Sequence, residues 1–304
     1  MFRLVTCCAL LFLGLCGKRV AADDPGFVVA GYLPDYRLSG WSKETGPVTD
    51  VIFFGMSAPA NGVFDPLAIA EENITAVREV KEKSNCRILF TVGGWERSEG
   101  FAALAGDERL RTEFIREAAA FCLQSGIDGI DYDWEHPDGD GEIRSFGALL
   151  ADTHSEFARH DLLVTIAQAG WQNFGTKAYQ SVDRVHLMAY DHDFPQATFE
   201  KAQLDVERLQ KAGCPASKIV LGVPFYGRNK DGDAIAYAQL STNPAFGPDV
   251  SILNGYAFNG PTLVARKVRF AKAEGLAGVM IWELGQDARG ASSLLNALDD
   301  TLQH

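Results

Sequence analysis

The sequence lacks most of what would remove it from the ordinary globular classes. It has no run of about 20 apolar residues, the length a helix needs to cross a bilayer, and no linker or low-complexity segment. Cysteine is scarce, with 6 in 304 residues, and Cys7, Cys8 and Cys16 fall in the N-terminal apolar stretch. Cys86, Cys122 and Cys214 remain, an odd number without metal-ligand spacing; buried thiols are expected, with one disulfide as the alternative. Cationic residues are outnumbered, 28 Lys and Arg against 40 Asp and Glu, for a net charge of −12. Such a surface repels nucleic acid and anionic lipid and suits an uncharged substrate. What is present is ordinary: 47% hydrophobic and 22% charged residues, a composition that folds.

The N-terminus reads as a leader. Arg3 precedes an apolar run from Leu4 to Leu15, followed by Lys18, Arg19 and Val20-Ala21-Ala22. This is the n-region, h-region and small-residue site of a secretory signal cut after Ala22. The expected mature chain is 23–304, outside the cell or in the periplasm. Losing three cations and no acids moves its charge from −12 to −15. Asn73-Ile74-Thr75 is a glycosylation sequon and equally an ordinary helix start.

From Asp23 onward short β-branched runs alternate with longer amphipathic ones. Strands are predicted at Phe27–Gly31, Val51–Ser57, Arg87–Val92, Gly129–Asp133, Leu162–Ala167, Arg184–Ala189, Ile219–Val223 and Gly278–Trp282. Helices are predicted at Asn73–Lys83, Glu108–Leu123, Ile143–Ala158, Phe199–Ala212 and Thr262–Ala273. Gly126, Gly213 and Gly275 follow such stretches as helix stops. The alternation predicts an α/β fold, a single-domain (β/α)₈ TIM barrel. A doubly wound open sheet is the runner-up, but no Gly-rich phosphate loop follows the first strand. The chain between Tyr32 and Asp50 is too short for a full first helix, and 228–261 is expected as a long irregular loop over the C-terminal face.

The segment Asp128-Gly129-Ile130-Asp131-Tyr132-Asp133-Trp134-Glu135 carries the chemistry. Alternate side chains of a strand share a face, so Asp131, Asp133 and Glu135 point one way and Ile130, Tyr132 and Trp134 the other. The apolar set packs under helices, leaving three carboxylates toward the barrel axis. Gathering like charges there is unfavourable and marks a functional site. A divalent-cation site is the rival reading. Neighbouring acids on one strand stand roughly 7 Å apart, at about 3.3–3.4 Å rise per residue, too far for close shared ligation. No metal and no cofactor is expected.

This segment resembles the DGxDxDxE signature of glycoside hydrolase family 18, on the fourth barrel strand. Further likenesses run from about Val28 to Asp287: Val29-Ala30-Gly31-Tyr32, Phe90-Thr91-Val92-Gly93-Gly94-Trp95, Leu187-Met188-Ala189-Tyr190-Asp191, Gly222–Arg228 and Gly278–Trp282. The resemblance implies cleavage of β-1,4-linked N-acetylglucosamine polymers or oligomers with retention, the substrate's acetamido group serving as nucleophile. It implies Glu135 as general acid and base, Asp133 orienting the acetamido N–H, and Asp131 sharing a proton with Asp133. Tyr190 would hold the acetamido oxygen. Trp282 would floor the cleavage point and Trp95 would stack on the departing side, with Tyr32, Asp191 and Arg228 as polar sugar contacts. Trp171 could line the groove, and Asp128, of the other parity, has a structural role.

Some positions depart from the family pattern. Thr91 replaces the usual serine, His136 stands where tyrosine is more usual after the acid, and Gly55 where an aromatic often sits. The stretch between Arg228 and Gly278 is too short for the α+β domain many such chitinases insert, and Tyr256–Gly260 resembles the short loop of compact bacterial members. A shallow, open groove on a monomer is expected. Endo-β-N-acetylglucosaminidase action on glycans or peptidoglycan is the alternative activity, and a chitin-binding lectin the alternative class.

Overall fold

The computed structural model describes residues 26–66 and 69–304, so the expected signal segment 1–22 lies outside the described residues. Eight parallel strands form the frame: β1 (Val28–Pro34), β2 (Asp50–Met56), β3 (Arg87–Gly93), β4 (Gly129–Asp133), β5 (Leu163–Ala169), β6 (Arg184–Met188), β7 (Ile219–Pro224) and β12 (Gly278–Trp282). They close in the order β1-β12-β7-β6-β5-β4-β3-β2, the predicted barrel. The main outer helices are α1 (Glu71–Ser84), α3 (Glu108–Ser125), α4 (Gly139–Phe157), α6 (Phe199–Lys211), α8 (Pro261–Ala273) and α9 (Leu294–Gln303). Between β1 and β2 only a turn of 3₁₀ helix, Asp35–Arg37, stands where a first helix would be.

Local chemistry explains the outer ring. The Asp107 carboxylate caps α3 by accepting the Leu110 N–H, and Gly126 ends that helix with a φ of 69°. Phe114, Ile115, Ala118, Ala119 and Cys122 form its buried stripe. Thr198 and Ser293 cap α6 and α9 in the same way. The two short helices α2 (Phe101–Gly106) and α5 (Gly175–Gln180) escaped the sequence reading, being too brief to show a helical period.

Two apolar cores result. The larger lies between strands and helices. The smaller fills the barrel and includes Val28, Ala30, Tyr32, Ile52, Phe54, Tyr190, Tyr226 and Met280. The N-terminal end of the barrel is sealed by charge: buried Asp50 receives Arg87 Nε at 2.5 Å and Arg184 Nη1 at 3.1 Å. The C-terminal end is left for function. Cys86, Cys122 and Cys214 are buried free thiols. No helix among the described residues is long and apolar enough to cross a membrane.

The expected irregular loop over 228–261 is in fact ordered. It builds a small antiparallel sheet of β8 (Tyr226–Arg228), β9 (Ala234–Ala236), β10 (Ile252–Leu253) and β11 (Tyr256–Ala257), in the order β10-β11-β8-β9, with a one-turn helix α7 (Tyr237–Leu240). Strands of two or three residues carry no readable alternation. Their anchor is a ring cluster, Tyr237, Phe246 and Phe258, with centroids 5.9–6.2 Å apart. No separate insertion domain stands there.

Candidate active site

The site is built on the C-terminal end of β4. Ile130, Tyr132 and Trp134 face outward and are buried. Trp134 stacks on Phe101 at 5.1 Å and meets Phe146 edge-on at 5.5 Å. That packing fixes the strand's rotation, so Asp131, Asp133 and Glu135 turn to the axis and rise in order toward the rim.

Asp131 is the deepest and is fully buried. Its neighbours in register, Thr91 on β3 and Thr165 on β5, both donate to it, at 3.3 and 2.6 Å. Tyr32 OH donates to it at 2.8 Å, and His186 Nδ1 lies 3.3 Å away. Asp133, one step up, has a buried Oδ1 without a hydrogen-bond partner among the described residues. Its side chain pairs with Glu135 instead. Burial drives the Asp133 carboxyl well above the usual carboxylate range, reinforced by the charges of Glu135 and Asp131. Glu135 is raised too, by burial first and then by the charge of Asp191, while hydrogen bonds from Asp133 and the Trp95 backbone oppose the shift. The pair therefore shares protons and titrates as a unit.

The glycines of the β3 turn let this happen. Gly93 and Gly94 have φ of 100° and 101°, and Gly94 N–H donates to the Asp133 carbonyl at 2.6 Å. A Cβ on Gly93 would sit 2.2 Å from that carbonyl oxygen, and one on Gly94 2.2 Å from the Phe54 ring. Gly93→Ala should thus destabilise the fold by about 2–4 kcal/mol, from a strained φ plus a backbone clash. The midpoint of urea denaturation reads this directly; an unchanged midpoint would mean that the turn relaxes freely.

Around the acids, Tyr190 is buried with its hydroxyl 3.7 Å from Met280 Sδ. Asp191, with a φ of 57°, accepts from Tyr226 OH at 2.5 Å and lies 2.9 Å from Arg228 Nε. Trp282 is half-buried, braced by Phe54 at 5.2 Å and Tyr32 at 5.5 Å. Trp95 and Trp171 stand out at the rim, 70% and 68% exposed, with Tyr36 at 61%.

A buried Asp133 paired with a half-buried Glu135, with exposed aromatic rings beside them, narrows the families to be considered. The model of the glycosyl hydrolases family 18 matches residues 28–287. The chain belongs to that family. Among curated relatives it is 27% identical over 276 residues to Chitinase 1 of Aphanocladium album, covering 71% of this chain and 65% of that one. The chain thus spans just under two thirds of that relative's length. A solved chitinase of Bacteroides thetaiotaomicron is 27% identical, with a TM-score of 0.82 over 90% of this chain and 96% of that one. The fold also matches a family 18 chitinase of Cycas revoluta solved in complex with (GlcNAc)4, TM-score 0.78, 24% identical, over 90% and 99% of the two chains.

Of the residues singled out for the family 18 site, the structure gathers Asp131, Asp133, Glu135, Tyr190, Asp191, Arg228 and Trp282 around one floor, with Trp95 at the rim. Tyr32 needs correction. It is 1% exposed, and its hydroxyl is taken up by Asp131 and His186, at 2.8 and 2.9 Å. It supports the floor from below and is no sugar contact. The proton expected between Asp131 and Asp133 is displaced likewise: three hydroxyls already occupy Asp131, so Asp133 turns to Glu135. Asp128 lies outside the groove, held by Lys81 Nζ at 2.6 Å and the Ile88 N–H at 2.8 Å.

The sequence reading missed Thr165, His186, Tyr226 and Ser98. The first two left a signal, a lone polar residue at an inward position of an apolar strand. Ser98 left none. Its Oγ donates to Gly94 O and Asp133 O, at 3.0 and 3.1 Å, and accepts the Glu135 N–H at 3.0 Å, tying the β3 turn to the backbone of Glu135.

Proposed function

We propose that this chain hydrolyses β-1,4-linked N-acetylglucosamine polymers or oligomers, with retention and with the substrate's own acetamido group as nucleophile. The observation that carries the reading is the pair of Asp133, buried, and Glu135, half-buried, hydrogen-bonded to each other and both with raised pKa, with the exposed indoles of Trp95 and Trp171 beside them. Glu135 holds its proton at a pH where a free carboxyl would have lost it, which a general acid requires.

The pair's closeness also selects the nucleophile. A retaining enzyme that uses a carboxylate nucleophile keeps its two carboxyls about 5–5.5 Å apart, on either side of the sugar. Carboxyls hydrogen-bonded to each other are nearer than that, and Asp191 is engaged by Tyr226 and Arg228. The acetamido carbonyl oxygen fills the role. It attacks the anomeric carbon as Glu135 protonates the glycosidic oxygen, and the bond electrons leave with that oxygen. Asp133 orients the acetamido N–H and its negative charge stabilises the oxazolinium cation; Tyr190 holds the acetamido oxygen. Water then attacks the anomeric carbon and gives a proton to Glu135, while the bond from that carbon to the acetamido oxygen breaks and its electrons return to the acetamido group. Trp282 supplies the apolar floor for the sugar face, and Trp95 a platform on the leaving side. Export as a monomer, after cleavage near Ala22, completes the reading.

Product analysis on N-acetyl chito-oligomers, high-mannose glycans and peptidoglycan tests it. Release of short N-acetylated oligomers from the first is expected; release from the glycans alone would transfer the chain to endo-β-N-acetylglucosaminidase action, and binding without products to a lectin. A fully N-deacetylated oligomer should remain uncut, since it brings no internal nucleophile. Its cleavage at a comparable rate would end the substrate-assisted mechanism.

A further inference from the structure

His186 is sealed inside the barrel, 1% exposed, below the acids that face the sugar. Its register neighbours are Ala167 on β5 and Val220 on β7, both apolar. The two ring nitrogens have different surroundings. Nδ1 lies 2.9 Å from the Tyr32 hydroxyl oxygen and 3.3 Å from Asp131 Oδ1. Nε2 is buried and has no hydrogen-bond partner among the described residues. This asymmetry places the ring's proton. Burial, then the charge of Asp131, drives the Tyr32 pKa well above the ordinary phenol value, so the hydroxyl keeps its hydrogen. That hydrogen goes to Asp131 Oδ2 at 2.8 Å. Nδ1 therefore faces a hydroxyl oxygen whose hydrogen is already committed, together with a carboxylate oxygen. Both are acceptors, so Nδ1 is the donor. The reverse chain, with a proton on Asp131 and Nδ1 as acceptor, would put the ring's N–H on Nε2, a buried donor without an acceptor. A doubly protonated ring would leave the same orphan. Buried N–H groups without a partner are the rarer and less favourable state.

We propose that His186 is a positioning residue: with its proton on Nδ1 it donates to the Tyr32 hydroxyl, commits the Tyr32 hydrogen to Asp131, and so keeps Asp131 a proton-free acceptor beneath the site. The role rests on the acid function of Glu135 proposed above. Thr91 and Thr165 add their hydroxyl hydrogens, at 3.3 and 2.6 Å, so four donors converge on one carboxylate and its relay. The charge held there acts upward. It joins burial and Glu135 in raising the Asp133 pKa, and Asp133 in turn hydrogen-bonds Glu135. The proton of the acid row thus stays on the upper pair, within reach of the glycosidic oxygen, and does not sink to Asp131. The other titratable groups in contact are Asp133 and Tyr190, which face Tyr32, and Asp191 and His136, which face Glu135. Lengthening the chain of donors strengthens each link, because the bond from Nδ1 polarises the O–H that Tyr32 gives away. No proton leaves the ring during turnover.

Nitrogen-15 NMR of the labelled imidazoles reads the placement without turnover. The His186 signals, identified as those lost in His186→Asn, should show a proton on Nδ1 and a bare Nε2. A proton on Nε2, alone or beside one on Nδ1, overturns the inference. The pH dependence of kcat/KM on chito-oligomers reads the consequence. His186→Leu removes the donor, so Asp131 takes up a proton more readily and its charge presses less on the pair above. The basic limb should move down by about 0.5–1 pH unit, the worth of one net hydrogen bond, which lowers the rate on the alkaline side about 3–10-fold. The loss should lie in kcat, with KM little changed, since the ring does not reach the groove. His186→Asn, whose amide nitrogen can take the place of Nδ1, should restore the limb. If the Leu variant does not fold, Tyr32→Phe cuts the relay at its next link and should move the limb in the same direction. A limb that stays in place or moves up overturns the inference, and so do equal shifts in the Leu and Asn variants. A ring protonated on Nδ1 in a wild type that releases no sugar upholds the placement, and the failure then belongs to the hydrolase reading.

Discussion

Glu135→Gln should cut the release of sugar from N-acetyl chito-oligomers by about 10²–10⁴-fold, the usual share of a general acid, with binding of the oligomer left near the wild-type level. The substitution keeps the shape and loses only the exchangeable proton. It also predicts a gain elsewhere. The wild-type carboxyl is buried beside Asp133 and faces Asp191, so its folded pKa is raised. A raised carboxyl pKa means that the folded state binds the proton more tightly than the unfolded one. Its stabilising share is therefore present below the unfolded value and is lost as pH rises through the folded value. At neutral pH the wild type carries that strain and the Gln variant does not. Removing the neighbouring charge should also let Asp133 ionise more easily, since Glu135 follows burial among the causes of its raised pKa. The expected variant is thus nearly inactive and slightly more heat-stable. Thermal melts and product assays on one preparation check both halves. Substantial residual turnover would remove Glu135 from the acid role; lost turnover with a lowered melting temperature would point to a structural defect instead.

Why the acids were legible and their support was not follows from what a strand sequence encodes. Parity along Asp128–Glu135 separates Asp131, Asp133 and Glu135 from Ile130, Tyr132 and Trp134, and the barrel keeps that separation because one face packs on Phe101 and Phe146. Parity does not give depth. Tyr32 has the same inward direction as a groove residue yet lies below the floor, which only the stagger of β1 against its neighbours decides. Cross-strand register is equally silent in a linear reading. Thr91 and Thr165 serve Asp131 because each is its partner in an adjacent strand, and nothing local marks them as a pair. The sheet of 226–257 was hidden for a different reason: its strands are too short for alternation, and its stability comes from the packing of Tyr237, Phe246 and Phe258. Ser98 works through a hydroxyl in a loop, where residue type alone says nothing.

Lys267 on α8 is fully buried, and its ammonium nitrogen has no hydrogen-bond partner among the described residues. Burial pulls its pKa from 10.5 to about 7, against the attraction of Asp205 on α6. Asp205 is itself buried and already held by His192 Nε2 at 2.6 Å and Arg208 Nη1 at 3.4 Å. His192 follows Asp191, whose carboxylate takes the Tyr226 hydroxyl in the groove. The sign runs opposite to the usual lysine that gains a partner. With the folded pKa depressed, the unfolded chain binds one more proton between about pH 7 and 10.5. The destabilisation is complete below pH 7 and fades as pH rises toward 10.5, and its full size is on the order of 5 kcal/mol. Lys267→Met keeps the length and volume of the side chain and removes the charge. It should raise the melting temperature by about 5–10 °C at pH 6, allowing for the lost attraction to Asp205. At pH 9 the gain should be clearly smaller. Because both proteins share every other titration, only the difference between their melting curves bears on Lys267. A gain of equal size at both pH values would show that packing, not the buried charge, sets it; a loss at both would show that the ammonium group stabilises this fold.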